Sequence, residues 1–176
     1  MQMEWMELLQ KRRSVREYTG EPIPEAQMEQ ILKAGLLAPS SRSRRPWELI
    51  LVEDKDTLNK LALCRDHGAK MLENAGAAVV VLTDPEKSDV SVEDASIVMT
   101  HMHLTAEDLG LGSCWIQSRL RVAADGRPTT EYLRELLGFP EQLQVEAILS
   151  VEVPLRHPAP YAEEDLPAEK LHRERY

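Results

Sequence analysis

Two short segments hold the residues best suited to chemistry. They are Lys11-Arg12-Arg13-Ser14-Val15-Arg16 and Pro39-Ser40-Ser41-Arg42-Ser43-Arg44-Arg45-Pro46-Trp47. Together they carry seven of the 21 Lys and Arg residues in a chain with 30 Asp and Glu. Guanidinium groups offer planar, paired donors to phosphate, and serine hydroxyls add neutral ones. Such focused positive charge suits a bound anion, although two solvated basic turns would have the same composition.

Other chemistries find less support. The chain has no GxSxG elbow and no Walker loop. Gly110-Leu111-Gly112 begins like a dinucleotide fingerprint, but it follows a helical pattern and Trp115 stands where the third glycine belongs. His101 and His103 are two apart on a helix, so they diverge and cannot chelate one ion. His103 and Glu107, at i and i+4, are either a metal pair or a polar pair at a helix surface or interface. Glu93 and Asp94 diverge, and Ser91 with Asp94 reads as a capping box. Cys114 has no histidine near it in sequence and reads as a buried strand cysteine.

Anion donors, hydroxyls for a polyol, and a flat apolar wall from the Pro46-Trp47 loop closure fit a flavin mononucleotide better than a sugar phosphate. The elements that must position them follow from periodicity. Residues 4–13 read as a helix with Trp5, Leu8 and Leu9 on its apolar side. Pro24 opens a helix to about Leu37, and Ala38-Pro39 ends it. Strands are expected at Glu48–Glu53, Ala78–Thr83, Ser113–Gln117 and Val145–Val153. The run Ala78–Thr83 is continuously apolar, as in a central strand covered on both faces. Short helices are expected at 58–64 and 69–74, and one at 130–137 stopped by Gly138. The longest, Ser91–Leu109, is apolar on nearly every side and should be buried. Residues 154–176 read as an extended arm. The mixture without strict alternation gives an α+β fold, with helices on a mostly antiparallel sheet.

A chain of 176 residues fits one domain, and 43% hydrophobic residues suit a globular one rather than a disordered one. The net charge of −9 argues against a nucleic-acid partner. No signal-peptide core or membrane span is visible, and Cys64 and Cys114 form no CxxC. A cytoplasmic protein with free, buried thiols is the expectation.

Four segments in order resemble the nitroreductase-like flavoproteins. They are 11–18 (KRRSVREY), Ala38-Pro39-Ser40-Ser41 with Arg45-Pro46-Trp47, 104–116 (LTAEDLGLGSCWI) and the closing 172–176 (HRERY). The resemblance implies a homodimer with FMN at its interface, the long helix in the dimer core, and NADH or NADPH as electron donor. It implies ping-pong hydride transfer through the flavin to a nitroaromatic, quinone or enone. Arg12 would pair with the FMN phosphate, Arg13 and Ser14 with phosphate or ribityl, and Arg16 with the ring near N1 and O2. Pro39, Ser40 and Ser41 would come from the second subunit, and Ser43 would be a further cofactor contact, either lost or bridged by water because serine is short. Trp115, Ile116 and Gln117 would line the ring, with main-chain N–H groups near O4 and N5. Arg156, or alternatively Arg173, would supply the last phosphate contact, and His67 and Lys70 are further candidates. The chain departs from the family where Ser43 replaces a frequent Asn, Arg45 a frequent Gln, and Glu152-Val153-Pro154 a frequent Gly-Tyr-Pro. A flavin-binding protein without turnover, or an interaction domain with an acidic partner, are the rival readings.

Overall fold

The computed structural model describes residues 4–176. In chain order the elements are α1 (Trp5–Lys11), α2 (Glu25–Leu36), β1 (Trp47–Val52), α3 (Lys55–Leu61), β2 (Ala77–Thr83), α4 (Ser91–Asp108), β3 (Gly112–Gln117), α5 (Thr129–Leu137) and β4 (Gln144–Glu152). The four strands form one antiparallel sheet in the order β1-β2-β4-β3. This is the α+β architecture expected from the sequence, and it leaves β3 on an edge.

Period-two alternation explains the two cores. Val79 and Val81 of β2 face one side, with Leu149 and Val151 of β4, under Ile31 of α2 and Val98, Met99 and Met102 of α4. Val80 and Leu82 face the other, with Ile148, Leu58, Leu61, Leu133 and Phe139. All seven residues of β2 are buried, so its unbroken apolar run is that of a strand covered on both faces. Gly138 ends α5 at φ 74°, a left-handed conformation that glycine adopts without a Cβ penalty.

Several local expectations differ. The first helix is shorter than residues 4–13, and Leu8 is buried while Trp5 stays 60% exposed. Residues 70–74 form a 3-10 turn rather than an α-helix. The N-cap of α4 is Val90, with no side-chain cap, so Ser91 and Asp94 form no capping box. Instead Asp94 Oδ1 accepts from Ser41 N at 2.8 Å. The helix is not buried all round, because Glu93, Ile97 and Thr100 are exposed along one stripe. Trp47 is no exposed wall: it is buried in the first core, packed with Met28 and Val81. The arm beyond Pro154 is exposed over most of its length, as expected.

Candidate functional site

The basic segment after α1 is laid along the open edge of β3. Val15 N donates to Ser113 O at 2.9 Å, and Ser14 pairs with Ser113 in a parallel bridge. Gly112 permits this approach, since a Cβ there would lie 2.7 Å from Val15 Cγ1. Tyr18 secures the far end by donating to Val15 O at 2.9 Å and sharing a 2.7 Å hydrogen bond with Ser150. Burial pushes its phenol pKa well up.

Alternate residues of a strand turn their main-chain groups to the same edge. Ser113 O faces outward, so Trp115 and Gln117 face outward too, while Gly112, Cys114 and Ile116 bond to β4. The N–H groups of Trp115 and Gln117 are thus left on the open edge. Their side chains are fixed to each other: Trp115 Nε1 donates to Gln117 Oε1 at 3.0 Å. Gln117 Nε2 also donates to Glu146 Oε1 at 3.4 Å, and Glu146 sits 3.1 Å from Arg119 Nε. The Ile116 side chain lies in the second core and its main chain bonds to β4, so this residue offers nothing to the open edge, unlike the ring contact expected for it.

Beside this edge, Ser14, Arg16, Glu17, Arg156 and Pro158 line a cleft of about 270 Å³. Arg16 and Arg156 are exposed at its rim. Arg13 lies beneath the arm, its guanidinium carbon 3.5 Å from the centroid of the Tyr161 ring. Its Nε and Nη1 are buried with no hydrogen-bond partner among the described residues. Arg12 is held from below, as Nη1 donates to His103 Nε2 at 2.8 Å.

His103 and Glu107 are therefore neither a surface pair nor a metal pair. Both are buried, and each has a separate partner: Arg12 and Ser113 for His103, and His157 Nε2 at 2.8 Å for Glu107. His101 points elsewhere, toward Ala34 O of α2. No metal-holding cluster exists among the described residues. Burial raises the pKa of the Cys114 thiol, so it is no thiolate nucleophile.

The second basic segment is a strained loop. Arg42, Ser43 and Arg45 have φ of 51°, 54° and 47°, a region costly for residues with a Cβ. Ser40 Oγ accepts from Arg45 N at 2.9 Å, and Asp94 anchors Ser41. Pro39, Ser41, Ser43 and Arg45 are exposed. Within one chain this loop does not meet the cleft. Its anchor Asp94 and the Arg12 anchor His103 lie nine positions apart on α4, a separation of roughly 13 Å along the axis. His67 and Lys70 line a different cleft with Arg65, Asp66 and Glu73, and Arg173 lines neither.

Sequence reasoning passed over Asp94 as an anchor, His103 and His157 as supports, and Tyr161 as the cover on Arg13. Each acts through a partner distant in sequence, so no local spacing marks it.

Comparison with known proteins gives a consistent result. The model of the nitroreductase family matches residues 9–64 and 62–151. An Archaeoglobus fulgidus protein, named as an NADH dehydrogenase/NAD(P)H nitroreductase, is 35% identical over 178 residues, covering 98% of this chain and 99% of its own. The structure of an FMN-dependent nitroreductase from Clostridium difficile superposes with a TM-score of 0.95 at 42% identity, covering 97% of this chain and 99% of that one. That of an NADPH:FMN oxidoreductase from Vibrio harveyi, complexed with NAD+, superposes at 0.80 with 26% identity, covering 97% and 77%. Fold and sequence agree: the chain belongs to the nitroreductase family.

Proposed function

We propose that this chain is an FMN-dependent NAD(P)H oxidoreductase that works as a homodimer. The observation that carries the reading is the convergence of Ser14, Arg16 and Arg156 on one cleft beside the open edge of β3. The buried donors of Arg13 support it, because orphaned guanidinium nitrogens call for an acceptor that the described residues do not supply. The residues present therefore fit FMN.

Arg12, Arg13, Ser14 and Arg156 hold the phosphate as a set of charge-assisted donors. Arg16 places a fixed positive charge at the same cleft, where it favours an anionic ring edge. The outward N–H groups of Trp115 and Gln117 donate to acceptors along that edge. Pro39, Ser40, Ser41 and Ser43 of a second copy close the site, since the loop does not line the cleft of its own chain. FMN, when bound, supplies hydride transfer between NAD(P)H and an acceptor. No side chain has to supply an acid or a base: the Cys114 thiol stays protonated and His103 is engaged on both nitrogens. One exposed face serves donor and acceptor in turn, which gives ping-pong kinetics, and flat electrophiles such as nitroaromatics, quinones and enones suit it.

The test is spectroscopic. The purified protein is expected to be yellow, to release FMN on denaturation, and to bleach anaerobically with NADH or NADPH. Arg12→Ala is expected to lose most of its bound flavin. A colourless protein that FMN does not reconstitute overturns the reading. A yellow protein that no nicotinamide donor bleaches leaves a flavin-binding protein without turnover.

A further inference from the structure

We propose that His103 is the positioning residue of the anion site: its Nε2 accepts the hydrogen of Arg12 Nη1 and so fixes the orientation of the guanidinium. This rests on the reading above, in which Arg12 binds the FMN phosphate. A guanidinium has donors only, so the 2.8 Å contact requires a bare lone pair on His103 Nε2. The ring hydrogen must then lie on Nδ1, where it donates to Ser113 Oγ. Ser113 is the residue that receives Val15 on the edge of β3. One neutral imidazole thus ties the long helix, the anion-binding arginine and the flavin-facing strand together.

Three further observations favour positioning over filling. His103 is only 6% exposed, so its orientation is fixed by the core around it. Burial, and then the Arg12 charge, lower its pKa to about 4, which keeps the acceptor lone pair available at neutral pH. One turn along, Glu107 Oε2 accepts from His157 Nε2 while His157 Nδ1 faces Pro158 O at 2.8 Å. The helix therefore holds both chain segments that border the cleft, the one before Ser14 through Arg12 and residue 103, and the one beside Arg156 through residue 107. Arginine has many rotamers, and a fixed acceptor removes the cost of ordering one of them on binding.

The experiment compares FMN with riboflavin, which lacks the phosphate, by fluorescence titration of apoprotein. His103→Gln can place an amide oxygen where Nε2 stood and is expected to bind FMN within about threefold of wild type. His103→Asn is shorter; it can still reach Ser113 but not Arg12. Asn and Leu variants are expected to weaken FMN about tenfold, the scale of one hydrogen bond to a charged group. Riboflavin affinity should be unchanged in all three. In an Arg12→Ala background, His103→Asn should add no further loss. A variant that weakens FMN and riboflavin equally, or losses that add across the double mutant, would show a merely structural histidine and overturn the proposal. Wild-type protein that binds neither flavin would refute the functional reading instead.

Discussion

Burial, and then the nearby Arg12 charge, together lower the pKa of His103 from 6.5 to about 4. An unfolded imidazole takes up a proton between those values that the folded one refuses. Stability is therefore complete above about pH 6.5 and falls as pH drops toward 4, by up to about 3 kcal/mol. Glu146 and Glu152 have pKa values raised by burial, so their contribution has the opposite sign and grows as pH falls toward 4.5. The difference between wild type and His103→Gln isolates the imidazole. Urea unfolding across pH 4.5–7 should show the variant overtaking wild type steadily as pH falls, and parallel curves would refute a buried neutral ring. At this scale the sequence was only partly legible. Arg12, Ser14 and Arg16 could be picked out because charge and hydroxyls cluster locally. His103 could not, because spacing pairs it with Glu107, whereas its real partners come from residues 12 and 113.

Elements with a strong period were legible, while their ends and junctions were not. The apolar run of β2 and the Gly138 stop of α5 carry their own physical signature. Asp94 carries a misleading one, since Ser-x-x-Asp resembles a cap but the carboxylate turns outward to hold a loop with three left-handed residues. Trp47 misleads likewise: its loop suggested a surface wall, but as the first residue of β1 it points into the core. The contact between segment 14–18 and β3 depends on the missing side chain of Gly112. A Cβ there would also lie 3.1 Å from Pro154 Cβ, so both neighbours would have to move. Gly112→Ala is expected to cost about 1–3 kcal/mol and to separate the segment from the strand. Far-UV circular dichroism should stay near wild type while bound flavin, read from the visible absorbance, falls severalfold. Full flavin retention would show that the close approach is dispensable.

On the scale of the molecule, three helices leave apolar side chains uncovered. Trp5 and Met6 of α1, Leu36 of α2 and Ile97 of α4 are exposed, and both α1 and α2 pack on α4. A second copy seated there would bury them and bring its own Pro39–Ser41 loop toward the cleft, as the functional reading requires. Ile97→Asp is expected to shift the mass measured by light scattering from twice 20.0 kDa toward 20.0 kDa, with loss of flavin. A dimer that survives the change and stays yellow would remove Ile97 from the contact. The edge of β3 bears on how the chain behaves in company. Val15 already covers Ser113, and the strand ends at Gln117, with Leu120 just beyond at φ 57°. The uncovered stretch spans roughly 10 Å. That is long enough to face a fused ring system, as the functional reading requires, but too short to template a foreign peptide, so the short opening discourages fibre growth.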